Sequence, residues 1–268
     1  MNRFRFFFIL LGLILFIASG GIARAQSLTL SIPGYSDGSH RYFVELLSSA
    51  LAQAGHTTII RQVYDIPHLR ELDMLDKGEF NVLWRVRSEE KDRRYLPIPV
   101  NLTNGMVGKR ILLVPPAQKN DYRAVSTLHD FKKLGKIGGL GSRWFDADVW
   151  KANDLPYLEV PQWHHIYGMV AKGTRGVDYF SRGMNEILRE SELHPDLAIE
   201  PHILIMYDRD FIFYVSPTQP QLAQILSDAL EKAKKTGLID ILIAKYWAKS
   251  IKRLSIGTRA VIHLNTPQ

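Results

Sequence analysis

From Leu28 to Val215 the chain alternates short runs of β-forming residues with longer stretches whose apolar residues recur at helical spacing. This rhythm constrains the fold more than any other feature. Strand, helix and strand in succession close most simply as a parallel βαβ unit, so the pattern argues for an α/β protein with parallel strands. Leu28-Thr29-Leu30-Ser31-Ile32 alternates like a strand and stops at Pro33-Gly34. Phe43, Leu46, Leu47, Ala50, Leu51 and Ala54 then mark one helical face, with Gly55 as the stop. A strand over 57–63, a helix over 68–77, a strand over 81–87 and an apolar strand over 110–114 follow, the last running into Pro115-Pro116.

A second unit repeats the rhythm. Thr127 and Asp130 are spaced as a capping pair for a helix over 127–134. Strands are expected at 136–139, 158–160, 177–180 and 203–206, and helices at 146–153, 163–171 and 184–192. The segment 211–215 leads into the longest amphipathic helix, whose apolar face is Leu222, Ile225, Leu226, Ala229, Leu230 and Ala233. Thr218 and Gln221 have capping-box spacing before it, Gly237 is its stop, and a last helix covers 239–248. There is no internal repeat and no flexible linker, which predicts two α/β lobes joined by strands rather than by a tether.

The N-terminus reads as an export signal. Arg3 and Arg5 precede an apolar run of 13 residues, Phe6 to Ala18, and Ala23-Arg24-Ala25 forms a small-x-small cleavage site. The run is short for a membrane span, so cleavage after Ala25 is expected. Loss of residues 1–25 removes three arginines and no acid, taking the formal charge from +7 to +4. So mild a charge gives no case for nucleic acid. The absence of cysteine excludes disulfides, thiolate metal sites and a cysteine nucleophile.

Several motifs, weak singly, resemble in order and spacing those of one family. Leu75-x-x-Gly78-x-x-Asn81, a strand, and then Ser88-Glu89-Glu90-Lys91-Asp92-Arg93 resemble the L-x-x-G-x-x-D … T-x-x-R block of extracellular solute-binding proteins of family 3, the amino-acid type. Leu128-x-x-Phe131, Lys136-Ile137-Gly138-x-x-x-Gly141-Ser142, Gly168-Met169, Gly176-Val177-Asp178-Tyr179, Gln219-Pro220-x-Leu222-Ala223 and Gly237-Leu238-Ile239-Asp240 continue the likeness over nearly the whole chain after the signal. The resemblance implies the two-lobed type II periplasmic-binding architecture, with two crossing strands and a ligand cleft between the lobes. The first lobe is then expected over 26–113 and 215–268 and the second over 114–214, with crossings near 112–117 and 211–216. Open α/β sheets also bind ligands beyond the carboxyl ends of their strands, which agrees with such a cleft.

The resemblance places the family's ligand-carboxylate arginine at Arg93, in the block that begins at Ser88, and a guanidinium fork suits a carboxylate. Arg85 and Arg87 share one face of their strand and suggest an acidic ligand or an internal ion pair. Tyr35 stands where the family often sets an aromatic against the ligand. Gly141-Ser142, between a strand and a helical segment, offers backbone N–H groups to an anion, with Arg143 and Trp144 following. The resemblance also implies a departure. The aspartate that takes an α-ammonium group is replaced by Gly183, preceded by Arg182 as a further candidate ligand contact, with Glu186 one turn on as a possible substitute.

These readings predict a non-catalytic periplasmic protein, acting as a monomer, that hands a small, anionic solute to the permease of an ABC importer. A sensor docking onto a membrane kinase or chemoreceptor is the alternative, and a dehydratase-like enzyme on the same fold a more remote one. No metal or cofactor is expected: His164-His165 are adjacent and do not share a helical face, and neither a metalloprotease helix nor a P-loop occurs.

Overall fold

The computed structural model describes residues 27–267, so the export-signal reading lies outside the described residues. The first lobe opens with β1 (Ser27–Gly34), α1 (Arg41–Gln53), β2 (Thr57–Tyr64), α2 (His68–Asp76), β3 (Val82–Val86), α3 (Glu89–Arg94) and β4 (Leu96–Ile98). The second lobe holds β5 (Lys109–Val114), α4 (Leu128–Lys133), β6 (Gly138–Gly141), α5 (Phe145–Ala152), β7 (Tyr157–Val160), α6 (His165–Lys172), β8 (Tyr179–Gly183), α7 (Ile187–Leu193), β9 (Ala198–Ile199) and β10 (Ile203–Met206). The chain then returns to the first lobe through β11 (Phe211–Val215), α8 (Pro220–Lys235) and α9 (Leu238–Arg253), and ends with β12 (Ala260–His263).

Strand direction follows connectivity. Where a helix links two neighbouring strands the pair is parallel, as in β1–β2 and β6–β7. The strands that follow the first two crossings, β5 and β11, run the opposite way, whereas the C-terminal β12 pairs in parallel with β10. β11 is antiparallel to β3 and β4, and β5 is antiparallel to β8, β9 and β10. The expectation of parallel strands thus holds within each βαβ unit and fails at the first two crossings.

The lobe-1 sheet β3-β11-β4 separates two apolar layers. Val82, Trp84, Phe213 and Val215 pack with α1 and α8, while Leu83, Ile212 and Tyr214 join Leu75 and Tyr95 on the opposite face. The larger sheet runs β12-β10-β5-β8-β6-β7, with β9 beside β5. Leu112, Leu140, Tyr179 and Ile205 lie against α5 on one face; Ile111, Phe180 and Leu204 lie against α6 and α7 on the other.

Pairing moves the expected lobe boundaries. Residues 112–114 belong to β5, inside the second sheet, and 211–215 form β11, inside the first. The crossings are the segments 99–108 and 207–210. An apolar run before Pro-Pro reads alike as a hinge or as a central strand buried on both faces. Here Ile111 to Val114 are all fully buried, which is the second case. Asp210 braces the two crossings together: its buried carboxylate accepts from Thr103 N at 3.0 Å, Gly105 N at 2.8 Å and Phe211 N at 2.7 Å.

The C-terminal tail corrects the expected boundary again. Beyond α9 the chain crosses a third time, and β12 pairs in parallel with β10 of the second lobe. Arg259, buried in that passage, donates to Leu254 O at 2.9 Å and Ile203 O at 3.0 Å, and Asn153 and Asn265 exchange two bonds of 2.8 Å. A third anchored connection leaves the lobes less freedom to part than two crossings alone.

Capping differed between the two expected boxes. Thr127 and Asp130 form theirs, with bonds of 3.1 and 3.0 Å. At α8 the N-cap is Gln219 and the Thr218 hydroxyl pairs with Ser216 instead, because Pro220 starts the helix one residue later. No described helix is long and apolar enough to cross a membrane.

Candidate functional site

The ends of β1 and β3 bring one half of the site together in the first lobe. Arg85, 6% exposed, points toward α2 and pairs with the Glu71 carboxylate, while its Nη1 donates to Trp84 O at 2.7 Å. Tyr35 donates its hydroxyl to the same carboxylate at 3.0 Å. Burial pushes the Tyr35 phenol up to about 12, with Glu71 adding to the rise and Arg85 opposing it. Trp84 Nε1 donates to His40 Nδ1 at 2.8 Å, and the Tyr35 ring lies 4.1 Å from the imidazole. Burial first, then the Arg85 charge, pull the His40 imidazole down to about 3. Histidine 40 is therefore neutral at physiological pH and accepts through Nδ1, as the Trp84 bond requires.

The second half is built on β8, β6 and the start of α5. Arg182, 6% exposed, makes two bonds to Glu190, Nε at 2.6 Å and Nη2 at 2.5 Å, and a contact with Glu186 at 3.0 Å. Its guanidinium also lies 5.2, 5.1 and 4.9 Å from the ring centroids of Trp144, Trp163 and Phe180. Behind it a second buried pair, Arg110 and Asp146, is completed by the Tyr207 hydroxyl at 3.1 Å from Asp146.

The two halves face each other. Arg189 of α7 donates to the carbonyl of Asp37 in the loop after β1, and Arg253 of α9 pairs with Glu192 of α7 at 2.9 Å. The Arg182 charge reaches the His40 imidazole, and Asp148 of α5 acts on the Lys91 ammonium.

Several expected residues lie otherwise than the resemblance implies. Arg93 lies on the outer side of α3, its side chain 71% exposed and paired with Glu89 at 3.1 Å. Counted from Ser88, the last position of the T-x-x-R block is Lys91, and it is Lys91 that turns inward. Its Nζ donates to the Ser88 hydroxyl at 2.9 Å, and burial holds its ammonium below the usual lysine range. Ser88 itself caps α3 and is part of this arrangement. The Gly141-Ser142 turn is already saturated: Ser142 N donates to Val160 O at 3.1 Å, Arg143 N to the Glu159 carboxylate at 3.0 Å, and Trp144 N to Gly141 O at 3.1 Å. The turn suits a carboxylate, and the carboxylate it holds is the chain's own. Arg143 is exposed in a left-handed turn, with φ of +63°. Gly141 has no room for a Cβ because the Trp144 indole lies on it.

Gly183 is the most informative departure. A Cβ built there would sit 3.3 Å from a Glu186 carboxylate oxygen and 3.3 Å from Arg110 Nη1. A carboxylate therefore does hang over this position, supplied from one turn further on, but it answers Arg182.

Reading the sequence missed His40, Glu71, Lys91, Trp163 and Glu190. Lys91 could have been found by counting the block's own spacing, and Glu190 by noting that it lies eight residues after Arg182, across the turn from β8 to α7. Nothing local marks His40 or Glu71. Among the described residues no cluster of three or more metal-type ligands forms.

No family model and no curated protein matches the chain, whereas solved structures do. A mutant of ArgBP from T. maritima superposes with a TM-score of 0.58 at 16% identity, over 82% of this chain and 95% of that one. The amino acid ABC transporter substrate-binding protein AbpA from Streptococcus pneumoniae, bound to L-arginine, gives 0.57 at 16% identity, over 84% and 96%. An arginine-specific periplasmic binding protein of Salmonella typhimurium gives 0.56 at 13% identity, over 82% and 99%. The fold is that of the two-lobed type II periplasmic binding proteins. At these identities the likeness carries the architecture, not the ligand.

Proposed function

We propose that the protein is a non-catalytic, exported solute-binding protein that closes its lobes on a small carboxylate-bearing anion and passes it to a membrane importer. The fold supports capture between lobes, and relatives in fold serve ABC transporters. The observation that carries the ligand class is the state of the charges in the cleft. Arg85 is answered by Glu71, and Arg182 by Glu186 and Glu190, so neither presents an open fork. Lys91 is half-buried, and among the described residues no carboxylate lies within ion-pair distance of its Nζ. A carboxylate entering beside Lys91 and the Ser88 hydroxyl gains a charge-assisted bond away from bulk water. Across the gap, Asp148 is exposed and engaged in no ion pair, so an ammonium-bearing solute would have to use it.

The test is a thermal-shift and calorimetric panel of monocarboxylates, dicarboxylates and amino acids against wild type, Lys91→Ala and Asp148→Asn. An anionic solute should stabilise wild type, lose about tenfold or more in affinity with Lys91→Ala, and bind Asp148→Asn at least as well as wild type. Binding confined to amino acids, and lost with Asp148→Asn, would overturn the anionic reading while leaving solute capture in place.

A further inference from the structure

Resting on that reading of the cleft, we infer that Arg182 is an internal occupant of a guanidinium site and thereby sets the protein's specificity against guanidinium solutes. A guanidinium is recognised by two chemistries acting together: carboxylates that accept its in-plane N–H fork, and aromatic faces that cover its plane. Both surround Arg182. Glu190 receives the fork with bonds of 2.6 and 2.5 Å, Glu186 takes a further contact at 3.0 Å, and the Trp144 and Trp163 indoles with the Phe180 ring lie about it at 5.2, 5.1 and 4.9 Å. The occupant does not come from solution; it is tethered to the end of β8, one residue before Gly183.

The position of Gly183 belongs to the same device. A Cβ there would meet Asn185 Oδ1 at 2.5 Å and the Glu186 carboxylate at 3.3 Å, so Glu186, one wall of the cage, would have to give by a few tenths of an ångström. Glycine leaves Glu186 free to reach Arg182. Because the tethered guanidinium needs no encounter with solvent, it outcompetes any free one by effective concentration. Among the described residues, a guanidinium solute arriving in the cleft then finds Glu71, Glu186 and Glu190 already paired and no aromatic box left open, with Asp148 beside Lys91 the unpaired carboxylate. Solved relatives of this fold are bound to L-arginine; here the chain brings its own guanidinium.

Removing the tether should leave the cage open. The experiment compares wild type with Arg182→Ala in the full exported chain, using methylguanidinium and L-arginine as probes by calorimetry and melting. In wild type neither probe should bind or raise the melting temperature. Arg182→Ala should melt lower and regain stability saturably with methylguanidinium at about millimolar concentrations, while acetamide, a planar neutral control, restores nothing. Its affinity for methylguanidinium should exceed that of wild type by about tenfold or more. If Arg182→Ala folds only when methylguanidinium is present, the inference is upheld. If it stays unfolded with the probe, or folds and gains no affinity, the inference fails. Binding of L-arginine by the wild-type cleft overturns it too, yet leaves solute capture standing. A wild type that binds no solute of any class, beside an Arg182→Ala that takes methylguanidinium, would keep this inference and end the solute-capture reading.

Discussion

The two lobes solve one problem in different ways. Each buries an arginine at the cleft, and each neutralises it from within. In the first lobe Arg85 has one carboxylate, Glu71, shared with the Tyr35 hydroxyl, and its Nε has no partner. In the second, Arg182 has two carboxylates and three rings. An arginine resting on a single carboxylate has no reserve, whereas one with two acids and an aromatic box tolerates the loss of any member. The lobes therefore face each other with their cleft arginines already paired, and cross-lobe polar contacts are peripheral, at Arg189–Asp37 and Arg253–Glu192.

The sharpest way to break this comparison is to remove one acid from each side. Glu71→Ala leaves Arg85 buried without a counter-charge and should cost about 3–5 kcal/mol in urea unfolding, since the desolvation of the survivor is no longer offset. Glu190→Ala leaves Glu186 in place and should cost about 1–3 kcal/mol. Equal losses would mean that Glu186 gives Arg182 no second support.

The first lobe can also be probed by pH. His40 is held near 3 in the folded protein, against 6.5 for the free side chain. Between those values the unfolded chain binds the extra proton, so stability must fall as pH is lowered from about 6.5 toward 3, by at most about 1.4 kcal/mol per unit. Melting curves of wild type and His40→Gln should converge as pH falls through this window. Parallel curves would show that His40 is not the titrating group.

The smallest expected effect concerns α3. Arg93→Ala breaks only an exposed pair one turn apart and should change stability by about 0.2–0.5 kcal/mol, with solute affinity unaltered. A large loss of binding with Arg93→Ala would restore the role that the family block suggests and would turn α3 around.

Much of the architecture was legible because it is local. Apolar spacing marked α1, α2, α8 and α9, and the Thr127/Asp130 box lay in plain sight because a cap is made between residues three apart. The short, wholly polar α3 and the three-residue β4 carried no such pattern and went unread. Of the site, Tyr35, Arg85, Trp144 and Arg182 were reached through residue type and order, each as a possible ligand contact. Their partners were not legible. Glu71 stands 14 residues from Arg85, and His40 stands 44 from Trp84.

The order of strands and helices, the amphipathic faces and the substitution of Gly183 were thus written in the sequence itself, because periodicity and side-chain chemistry act over one or two turns of chain. Tertiary structure alone decided that 109–114 is a central strand rather than a hinge, that the tail crosses a third time to pair with β10, and that each cleft arginine is already answered. Those outcomes depend on which distant segments come to share a sheet edge or a buried pocket. There, an unpaired backbone group or charge costs more free energy than local preference can offset.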